Sequence, residues 1–523
     1  MKIIKSIDIC ATDYLSKTTK DYLLGVNNQN IFPPKPTLEL VYENSLNRKF
    51  SKKQRIKLVE ILLRQYENHK INLNPNSQVY KNIKLLEKSK TFTFTSGQQI
   101  HIFLGPLFFL YKIKSLLSLT VNFNNKYSKT QAVPVFWMAT EDHDFEEIRK
   151  VKLYGKEYFW DSKQGDAVGR ILCKGLPELI STIEERADKN LHNKQMFSML
   201  RKHYTPEKTL AEATRAILHE IFETNGLIII NPDDTEFKKI ALDSFEKEIT
   251  NDIIFTNAKL QHETLKKNGY KPVLNPQKTN YFWLENCKRL KIKENQEDAF
   301  EIDGEKKLTL SEIIKTPEKL SPNVLSRAIY QETILPNLVY LAGSTEIDYW
   351  LLLKSTFEKM KLPYPVLFLR DSAIILSEKT YSDINKLKLE PEDMLKNINE
   401  LSKICSKEIY NSTLELEEEI KNIYKKIEII KSKMTDLGYE KAKIEQNIKG
   451  LESAISKIKN LIQNDENILK SVSSNNKLKK IKERFFSSKQ ERNDFAIEYP
   501  ELFEEINLLD FNKISTSMYF LSI

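Results

Sequence analysis

The sequence has few cysteines and no long apolar run, and these absences exclude several kinds of protein. Its cysteines lie far apart and form no CxxC pair: Cys10, Cys173, Cys287 and Cys405. Neither a disulfide framework nor a zinc site is expected, and a reducing, cytoplasmic setting is predicted. No stretch approaches the ~20 apolar residues that a membrane-spanning helix needs, so no membrane association is expected. The first residues lack the apolar centre of a signal peptide.

A strong charge of one sign is also missing. The chain has 81 basic and 72 acidic residues, which gives a net charge of +9 over 523 residues. This mild bias permits an anionic substrate without requiring nucleic acid, and no nucleic-acid partner is expected. The length predicts about two to four domains. A hydrophobic content of 40% is enough to build their cores.

The glycine-rich signatures of common nucleotide sites are absent, because neither GxGxxG nor a P-loop occurs. Residues 91–112, TFTFTSGQQIHIFLGPLFFLYK, nevertheless have the order of elements found in such sites, a strand, a glycine turn and a helix. Threonine and phenylalanine predict a strand over 91–95 that Ser96-Gly97 breaks, followed by two amides, Gln98 and Gln99. Gly105 precedes a proline that favours the first turn of a helix over 106–121. In a doubly wound sheet, a ligand is expected at the end of such a strand, with an anion at the helix N-terminus.

A second polar cluster follows the next predicted strand. Residues 133–139 are a continuous apolar run, as expected for a strand buried on both faces of a parallel sheet. Asp142, His143 and Asp144 come directly after it and suit acid–base chemistry or a metal ion. The alternative is a helix N-terminus rich in acidic residues. We favour the chemical role, because this cluster and the paired glutamines end successive strands.

A third block of candidates lies between residues 321 and 371. Asn323 is expected to cap a helix that carries Arg327 and Gln331 on one face. After the next predicted strand come three further candidates: Gly343, Glu346 and Tyr349. A short strand over 365–369 then ends in Arg370-Asp371, and the arginine suits a carboxylate or phosphate. A structural ion pair of Arg370 with Asp371 or Glu346 is an equally good interpretation.

Hydrophobic periodicity predicts the remaining elements of the first 390 residues. Residues 1–50 are expected to be irregular. Residues 270–310 are expected to contain β-structure. Helices, a hairpin and a strand are predicted as follows: helices over 52–70, 82–88, 176–224 and 237–267, a hairpin over 150–161, and a strand over 227–230.

The C-terminal third has a different pattern. From Leu416 to Val472, apolar residues recur at alternating steps of four and three, which is typical of a coiled coil. Gly438 and Gly450 lie inside this pattern, so either a long helix is weakened there or the chain turns back as a hairpin. The apolar stripe needs a partner, either a second chain or a second helix. We expect a homodimer, because the arm is long and otherwise unpaired.

Taken together, these stretches resemble a known family, the cysteine-adding enzymes of bacillithiol biosynthesis, also called cysteine ligases. The long block VFWMATEDHDF, residues 135–145, contributes most of the evidence for this resemblance. Two positions differ from the family pattern, at Ile100-His101 and around Gly343, where glycines are usual. The other matching residues are Ser96 to Gln99, Gly105 to Leu107, Tyr111, Lys112, Ser321 to Asn323, Arg327, Gln331, Gly343, Glu346, Tyr349, Trp350 and Gln490 to Arg492.

The resemblance implies a fold and an activity. The fold is α/β, a Rossmann-like parallel sheet similar to that of class I aminoacyl-tRNA synthetases, with connective-peptide insertions, a C-terminal coiled coil and a homodimer. The activity is the joining of the cysteine carboxyl to the amine of glucosaminyl malate. The expected division is a core first half (1–160), a helical insertion (161–226), core continuation with a second insertion (227–320), a core second half (321–385), a dimerising coiled coil (386–485) and a tail that packs on the core (486–523).

Amide formation from a free carboxylate is uphill in water, so activation by ATP is expected. The signatures HIGH and KMSKS of class I synthetases are absent, and activation through an adenylate is an inference by analogy of fold. Gln98, Gln99 and the turn at Gly105 are expected to hold anionic groups, with Tyr111 and Lys112 nearby. Asp142, His143 and Asp144 are expected to deprotonate the attacking amine, with no metal or organic cofactor expected. Arg327 or Arg370 is expected to bind the malate carboxylates.

Two other functions remain open from the sequence. One is a synthetase-like nucleotidyl transferase that acts on a different amino acid, a different acceptor or RNA, although the mild charge argues against RNA. The other is a coiled-coil scaffold without catalytic activity. A scaffold would explain the C-terminal third but would leave the polar strand ends without a role.

Overall fold

The computed structural model describes residues 2–26, 31–153, 156–162, 167–278, 280–285, 288–294, 299–304, 306–473, 476–485, 496–499 and 517–522. The chain divides into two compact units. The first comprises Asp8–Ala373 with the described part of Glu491–Tyr519. The second comprises the described parts of Lys2–Ile7, Ile374–Gln490 and Phe520–Ile523. The matching stretch Gln490 to Arg492 and the turn of the predicted 150–161 hairpin lie outside the described residues.

The described strands, in chain order, are β1 (Lys2–Asp8), β2 (Thr91–Gln99), β3 (Gln131–Ala139), β4 (Lys150–Leu153), β5 (Lys156–Phe159), β6 (Ile228–Ile230), β7 (Tyr281–Glu285), β8 (Lys288–Glu294), β9 (Ala299–Ile302), β10 (Lys306–Thr309), β11 (Leu320–Pro322), β12 (Asn337–Ala342), β13 (Val366–Leu369), β14 (Ser372–Leu376) and β15 (Ser517–Ser522).

The described α-helices are α1 (Lys17–Leu24), α2 (Leu38–Asn47), α3 (Lys52–Asn68), α4 (Gln78–Leu85), α5 (Leu107–Lys126), α6 (Phe145–Ile148), α7 (Leu176–Glu184), α8 (Leu191–His203), α9 (Leu210–Phe222), α10 (Thr235–Ile240), α11 (Leu242–Asn251), α12 (Ile253–Lys267), α13 (Leu310–Lys315), α14 (Val324–Ile334), α15 (Ser344–Trp350), α16 (Lys354–Met360), α17 (Glu378–Lys386), α18 (Ile398–Asp436), α19 (Lys441–Ser473) and α20 (Asn476–Phe485). None of these helices combines the length and apolarity that crossing a membrane requires.

The first unit contains a parallel sheet with the strand order β13-β12-β2-β3-β6. From β2 the chain proceeds to β3 and β6 on one side, and later to β12 and β13 on the other. The order therefore reverses between β2 and β12, which is where open α/β sheets bind their ligands. This confirms the predicted α/β fold with a Rossmann-like parallel sheet.

Both faces of the sheet are covered, which explains the continuous apolar run of β3. Val135 and Trp137 join a core cluster with residues of α3 and α14. Phe136, which points the other way, packs against Phe109 of α5, with ring centroids 5.0 Å apart. Burial on both faces favours apolar residues at every position of a strand.

Two predictions about local structure were wrong. β2 does not end at Gly97 but pairs with β3 as far as Gln99 and Ala139. A side chain at Gly97 would lie 3.3 Å from Trp137, so this glycine permits a close approach inside the strand. Residues 1–50 are not irregular, because Ser16 and Thr37 accept hydrogen bonds from the first turns of α1 and α2.

Most other predicted elements are confirmed. The amphipathic segment after residue 52 is α3, the segment after Gly105-Pro106 is α5, and the strand near 227–230 is β6. The predicted β-structure between 270 and 310 is found as β7 to β10, which join β11 in an antiparallel sheet of order β10-β9-β8-β7-β11. Asn323 caps α14 as predicted, and its side chain accepts hydrogen bonds from Leu325 N and Ser326 N.

A buried polar network joins the starts of β2 and β12. The hydroxyls of Thr93 and Thr95 donate to Asn337 Oδ1 at 3.0 and 2.8 Å. Asn337 Nδ2 in turn donates to Glu332 Oε1 at 2.7 Å. Burial raises the pKa of Glu332 to about 7, although the nearby Arg48 acts to lower it. Asn337 of β12 therefore satisfies polar groups of β2 and α14.

The second unit contains a helical hairpin. α18 and α19 pack against each other, and the chain reverses at Gly438, whose φ is +78°. Glycine adopts this left-handed conformation without steric cost, so it is well suited to end α18. Ile420, Ile427 and Ile455 are buried between the two helices. Part of the apolar stripe thus meets a helix of the same chain, so the arm is not unpaired, as was assumed when a homodimer was expected.

We expect Asn337→Leu to destabilise the parallel sheet. Thr93, Thr95 and Glu332 would each lose a buried hydrogen-bond partner, which should lower the free energy of unfolding by about 2–4 kcal/mol. Hydrogen exchange at the amides of β2 and β12 measures the effect. Asn225→Leu, at an exposed turn, is the control and should leave this exchange unchanged. Equal protection in the two variants would contradict a stabilising role for the network.

Candidate active site at the carboxyl ends of the parallel strands

Predicted candidates from separate parts of the chain meet at one edge of the parallel sheet. Gln98 and Gln99 end β2, and Asp142 follows β3. Gly343 follows β12, and Arg370 follows β13. The carboxyl ends of parallel strands share one edge, so these residues surround the point where the strand order reverses.

A buried ion pair lies at the centre of this edge. Lys112, on the second turn of α5, forms an ion pair with Glu346 of α15, and its side chain is 2% exposed. Lys112 Nζ also donates to Gly97 O at 2.8 Å and to Gln98 Oε1 at 2.7 Å. Glu346 accepts hydrogen bonds from Gly343 N at 2.9 Å and from the Tyr340 hydroxyl at 3.0 Å.

The pKa values of the pair follow from burial and mutual attraction. Burial lowers the pKa of Lys112 to about 8, although the charge of Glu346 acts to raise it. Burial would raise the pKa of Glu346, but Lys112 and the Gly343 N–H outweigh that effect and hold it below its usual value. Both groups are therefore charged at neutral pH.

Arg327 joins the same region from α14. Its Nη2 donates to the Tyr349 hydroxyl at 2.9 Å. Arg370 Nη1 donates to the Asp371 carbonyl and to Ser372 Oγ, both at 3.0 Å, and a side chain at Gly343 would lie 3.8 Å from its Nε. These contacts of Arg370 are structural, and its charge also acts to lower the pKa of the Asp371 carboxyl.

The turn into α5 has an unusual backbone. Phe103, Leu104 and Gly105 all have positive φ angles, between +55° and +64°. Phe103 N donates to the Tyr204 hydroxyl at 2.9 Å, which holds the turn in place. A side chain at Gly105 would lie 3.0 Å from His101 Cβ, so glycine is needed there for space as well as for conformation.

The predicted acidic cluster divides into two parts. Asp144 Oδ1 accepts a hydrogen bond from Glu147 N at 3.3 Å and caps α6, as in the alternative interpretation of a helix N-terminus. Asp142 and His143 instead face Arg289 of β8, whose Nη1 lies 3.3 Å from Asp142 Oδ1 and 3.1 Å from His143 Nδ1. Burial would raise the pKa of Asp142, but its hydrogen bonding and the nearby guanidinium groups of Arg289 and Arg327 outweigh that effect and lower the pKa.

Three other predicted residues are buried or make structural contacts. Gln331 Nε2 donates to Glu332 Oε1 at 2.9 Å and so belongs to the network at the start of β12. Asn323 acts as the helix cap of α14, and its Nδ2 donates to Asn280 Oδ1 at 3.0 Å. Tyr111 is fully buried on α5. The contacts given for Gln331 and Asn323 are thus structural.

A second charged network, which no sequence pattern indicated, lies beneath the turn after β3. Lys238 of α10 is fully buried and pairs with Glu141 at 2.5 Å and with Asp233 at 3.1 Å. Arg170 Nε and Nη2 donate to Asp233 at 2.6 and 2.7 Å. A lysine in an amphipathic helix normally faces solvent, so no pattern in the sequence distinguishes Lys238 from its neighbours.

The turn after β3 is also packed closely against Gly169. Gly169 N donates to Thr140 O at 2.7 Å. A side chain at Gly169 would lie 2.4 Å from Thr140 Cβ, which is too close for any other residue without a shift of the backbone. Lys238 and Gly169 together position the turn that presents Asp142 and His143.

Within the described residues, no group of three or more histidine, cysteine, aspartate or glutamate side chains is arranged to hold a metal ion. The candidate site has cationic and amide donors around the point where the strand order of the parallel sheet reverses. Such donors suit oxyanions such as carboxylates and phosphates.

Comparisons with known proteins agree with this geometry. Residues 3–371 match a family model described as "Bacillithiol biosynthesis BshC, N-terminal Rossmann-like domain". The "Putative cysteine ligase BshC" of Flavobacterium johnsoniae is 35% identical over 389 residues, which cover 73% of this chain and 72% of the relative. The protein of the same name from Flavobacterium psychrophilum is 31% identical over 530 residues, which cover 97% and 96%.

A solved structure, the tryptophanyl-tRNA synthetase of Plasmodium falciparum, aligns with a TM-score of 0.22 and 10% identity, covering 89% of this chain and 96% of that chain. The family assignment depends on the sequence matches, since they extend over most of the chain. The chain therefore belongs to the BshC family, a family of ligases in bacillithiol biosynthesis.

Proposed function

We propose that this protein joins the carboxyl of cysteine to the free amine of glucosaminyl malate, with ATP activating the carboxyl. The observation that supports this proposal best is the group of Gln98, Lys112, Arg327 and Glu346 at the reversal point of the parallel sheet. The names of the relatives indicate the amino acid. The acceptor and the nucleotide are inferred from the family resemblance and from the chemistry.

The need for activation follows from the reaction itself. A carboxylate and an amine do not condense in water without an energy source, and cleavage of ATP can supply it. The N-terminus of the 20-residue helix α5 follows β2 after the turn that contains Gly105, and its cap, Pro106, makes no side-chain hydrogen bond to the first turn. Backbone N–H groups at such a helix start attract phosphate groups, which suits ATP.

The cationic side chains suggest how the substrates are oriented. Arg327 has a rigid fork of donors, and its bond to Tyr349 holds the fork in place beside the Lys112–Glu346 pair. A fork of this kind matches the two oxygens of a carboxylate, so we assign Arg327 to a malate carboxylate. Gln98, whose Oε1 accepts from Lys112, is oriented so that its amide can donate to an oxyanion.

The first experiment is a ligation assay. We expect purified protein, cysteine and glucosaminyl malate to give the amide conjugate only when ATP is present, as detected by mass spectrometry. Replacing cysteine by serine or alanine should give much less product. No conjugate from a correctly folded protein would contradict the proposal. A conjugate with another amino acid would favour the alternative, a synthetase-like transferase with a different substrate.

The ionisation of Lys112 should appear in the pH dependence. Lys112 is protonated below its pKa of about 8 and loses its charge above it, so the ion pair with Glu346 is lost as pH rises through 8. If that charge is required, kcat/KM should decrease above pH 8. Lys112→Met should lower kcat/KM and remove this dependence. The double variant Lys112→Met/Glu346→Gln controls for an unpaired buried carboxylate. If kcat/KM still decreases above pH 8 in both variants, the assignment to Lys112 is contradicted.

We also propose that two copies of the chain associate through the helical hairpin. The packing of α18 against α19 leaves several apolar residues of the stripe about half exposed, and they recur every seven residues along each helix: Leu416, Ile423 and Ile430 on α18, and Leu451 and Ile458 on α19. Apolar residues repeated at this spacing along an exposed face are typical of helix association sites.

Light scattering after size-exclusion chromatography tests the association. We expect the unmodified protein to be a dimer and Leu416→Glu/Ile423→Glu to be a monomer, because charged side chains would be buried in the interface. Leu191→Glu on α8, where the leucine is 66% exposed but isolated, is the matched control and should remain dimeric. A monomeric unmodified protein, or a dimer unaffected by the double substitution, would contradict the proposal.

A further inference from the structure

Arg289 connects the antiparallel sheet to the candidate active site. It lies on β8, and its side chain is 6% exposed. Its Nε donates to Ser321 Oγ at 3.0 Å and its Nη2 to Pro322 O at 2.7 Å. The guanidinium also stacks on Phe282, with its central carbon 4.2 Å from the ring centroid. These contacts leave the guanidinium little freedom to move.

The remaining nitrogen of the fork points at the turn after β3. Arg289 Nη1 lies 3.1 Å from His143 Nδ1 and 3.3 Å from Asp142 Oδ1. A guanidinium has only N–H donors and does not lose a proton in proteins. In the contact with His143, the arginine must therefore be the donor, and Nδ1 must be the acceptor.

This assignment determines where the imidazole proton lies. A neutral imidazole has one N–H and one lone pair, so a ring that accepts at Nδ1 has its proton on Nε2. In that state Nε2 cannot take a proton from an amine, because it already has one. Protonation at Nδ1 would break the contact with Arg289 and place two cations side by side.

We propose that Arg289 is a positioning residue that holds His143 with its proton on Nε2. His143 thereby presents an N–H donor to a carboxylate or phosphoryl oxygen of the substrates instead of acting as the base that deprotonates the amine. The identity of the substrates rests on the proposed function, but the position of the proton on the His143 imidazole does not. His143 has half of its side chain exposed at the carboxyl edge of the sheet, so a bound molecule can reach it.

Chemical modification tests the state of the ring without any substrate. Diethyl pyrocarbonate attacks the nitrogen that has the lone pair, which in this geometry is the Nδ1 covered by Arg289. We expect slow modification of His143 in the unmodified protein and at least tenfold faster modification in Arg289→Ala, measured by mass spectrometry of the peptide. Arg289→Lys, which keeps a donor, should remain slow.

Matched controls separate this effect from loss of structure. Arg149→Ala removes a nearby guanidinium that contacts Glu146 instead of His143, and it should leave the rate unchanged. The buried His101 and His203 should stay unreactive in every variant. Equal rates for His143 in the unmodified protein and in Arg289→Ala would overturn the proposal, as would an NMR signal that places the proton on Nδ1.

The ligation assay distinguishes a donor from a base. His143→Gln keeps an N–H donor and should retain most of the activity, whereas His143→Ala should lose about 100-fold, as when a donor to an oxyanion is removed. Equal losses in the two variants would favour the base and overturn the donor role. A failure of ligation in the unmodified protein would contradict the proposed function but leave the modification result intact.

Discussion

The buried ion pair between Lys112 and Glu346 is the interaction on which the candidate site depends. Removing two charges from water costs several kcal/mol for each, and only close pairing with further hydrogen bonds offsets that cost. Both conditions are met here, because Lys112 also donates to Gly97 O and Gln98 Oε1 while Glu346 accepts from Gly343 N. The pair joins β2, α5 and the turn after β12, so it holds together the two halves of the sheet at their reversal point.

The site is completed by residues from outside the parallel sheet. Arg289 reaches Asp142 and His143 from β8, and Lys238 supports the same turn from α10 through Glu141. Each of these cations is paired with a carboxylate that follows β3. A polar turn that carries adjacent carboxylates needs such partners, since unpaired buried charges are strongly destabilising. The segments around the sheet therefore act as supports for the turn as well as coverings for the sheet.

Sequence patterns predicted the parallel sheet and the strand ends at which most candidate residues meet, because both depend on local signals. The apolar run of β3 and the polar residues after it were sufficient to place the turn at Asp142. The same reasoning was wrong about Gly97, where a glycine inside a strand was interpreted as its end. It was wrong again about residues 1–50, where prolines were given more weight than the caps Ser16 and Thr37. Gly97 allows the close approach of Trp137, which lies on another strand. No pattern of neighbouring residues indicates such a contact.

The sequence by itself determined the α/β class, the positions of the main strands along the chain, the strand ends where the candidates meet and the helical character of the C-terminal third. Periodicity and strand-end polarity are properties of neighbouring residues, so they can be read without coordinates. Tertiary structure alone decided that Arg289 and Lys238 contact the turn of the candidate site, that Gln331 contacts Glu332 in the network at the start of β12, and that the apolar stripe folds back at Gly438. These outcomes depend on contacts between residues that are far apart in the chain, and no local pattern specifies such contacts.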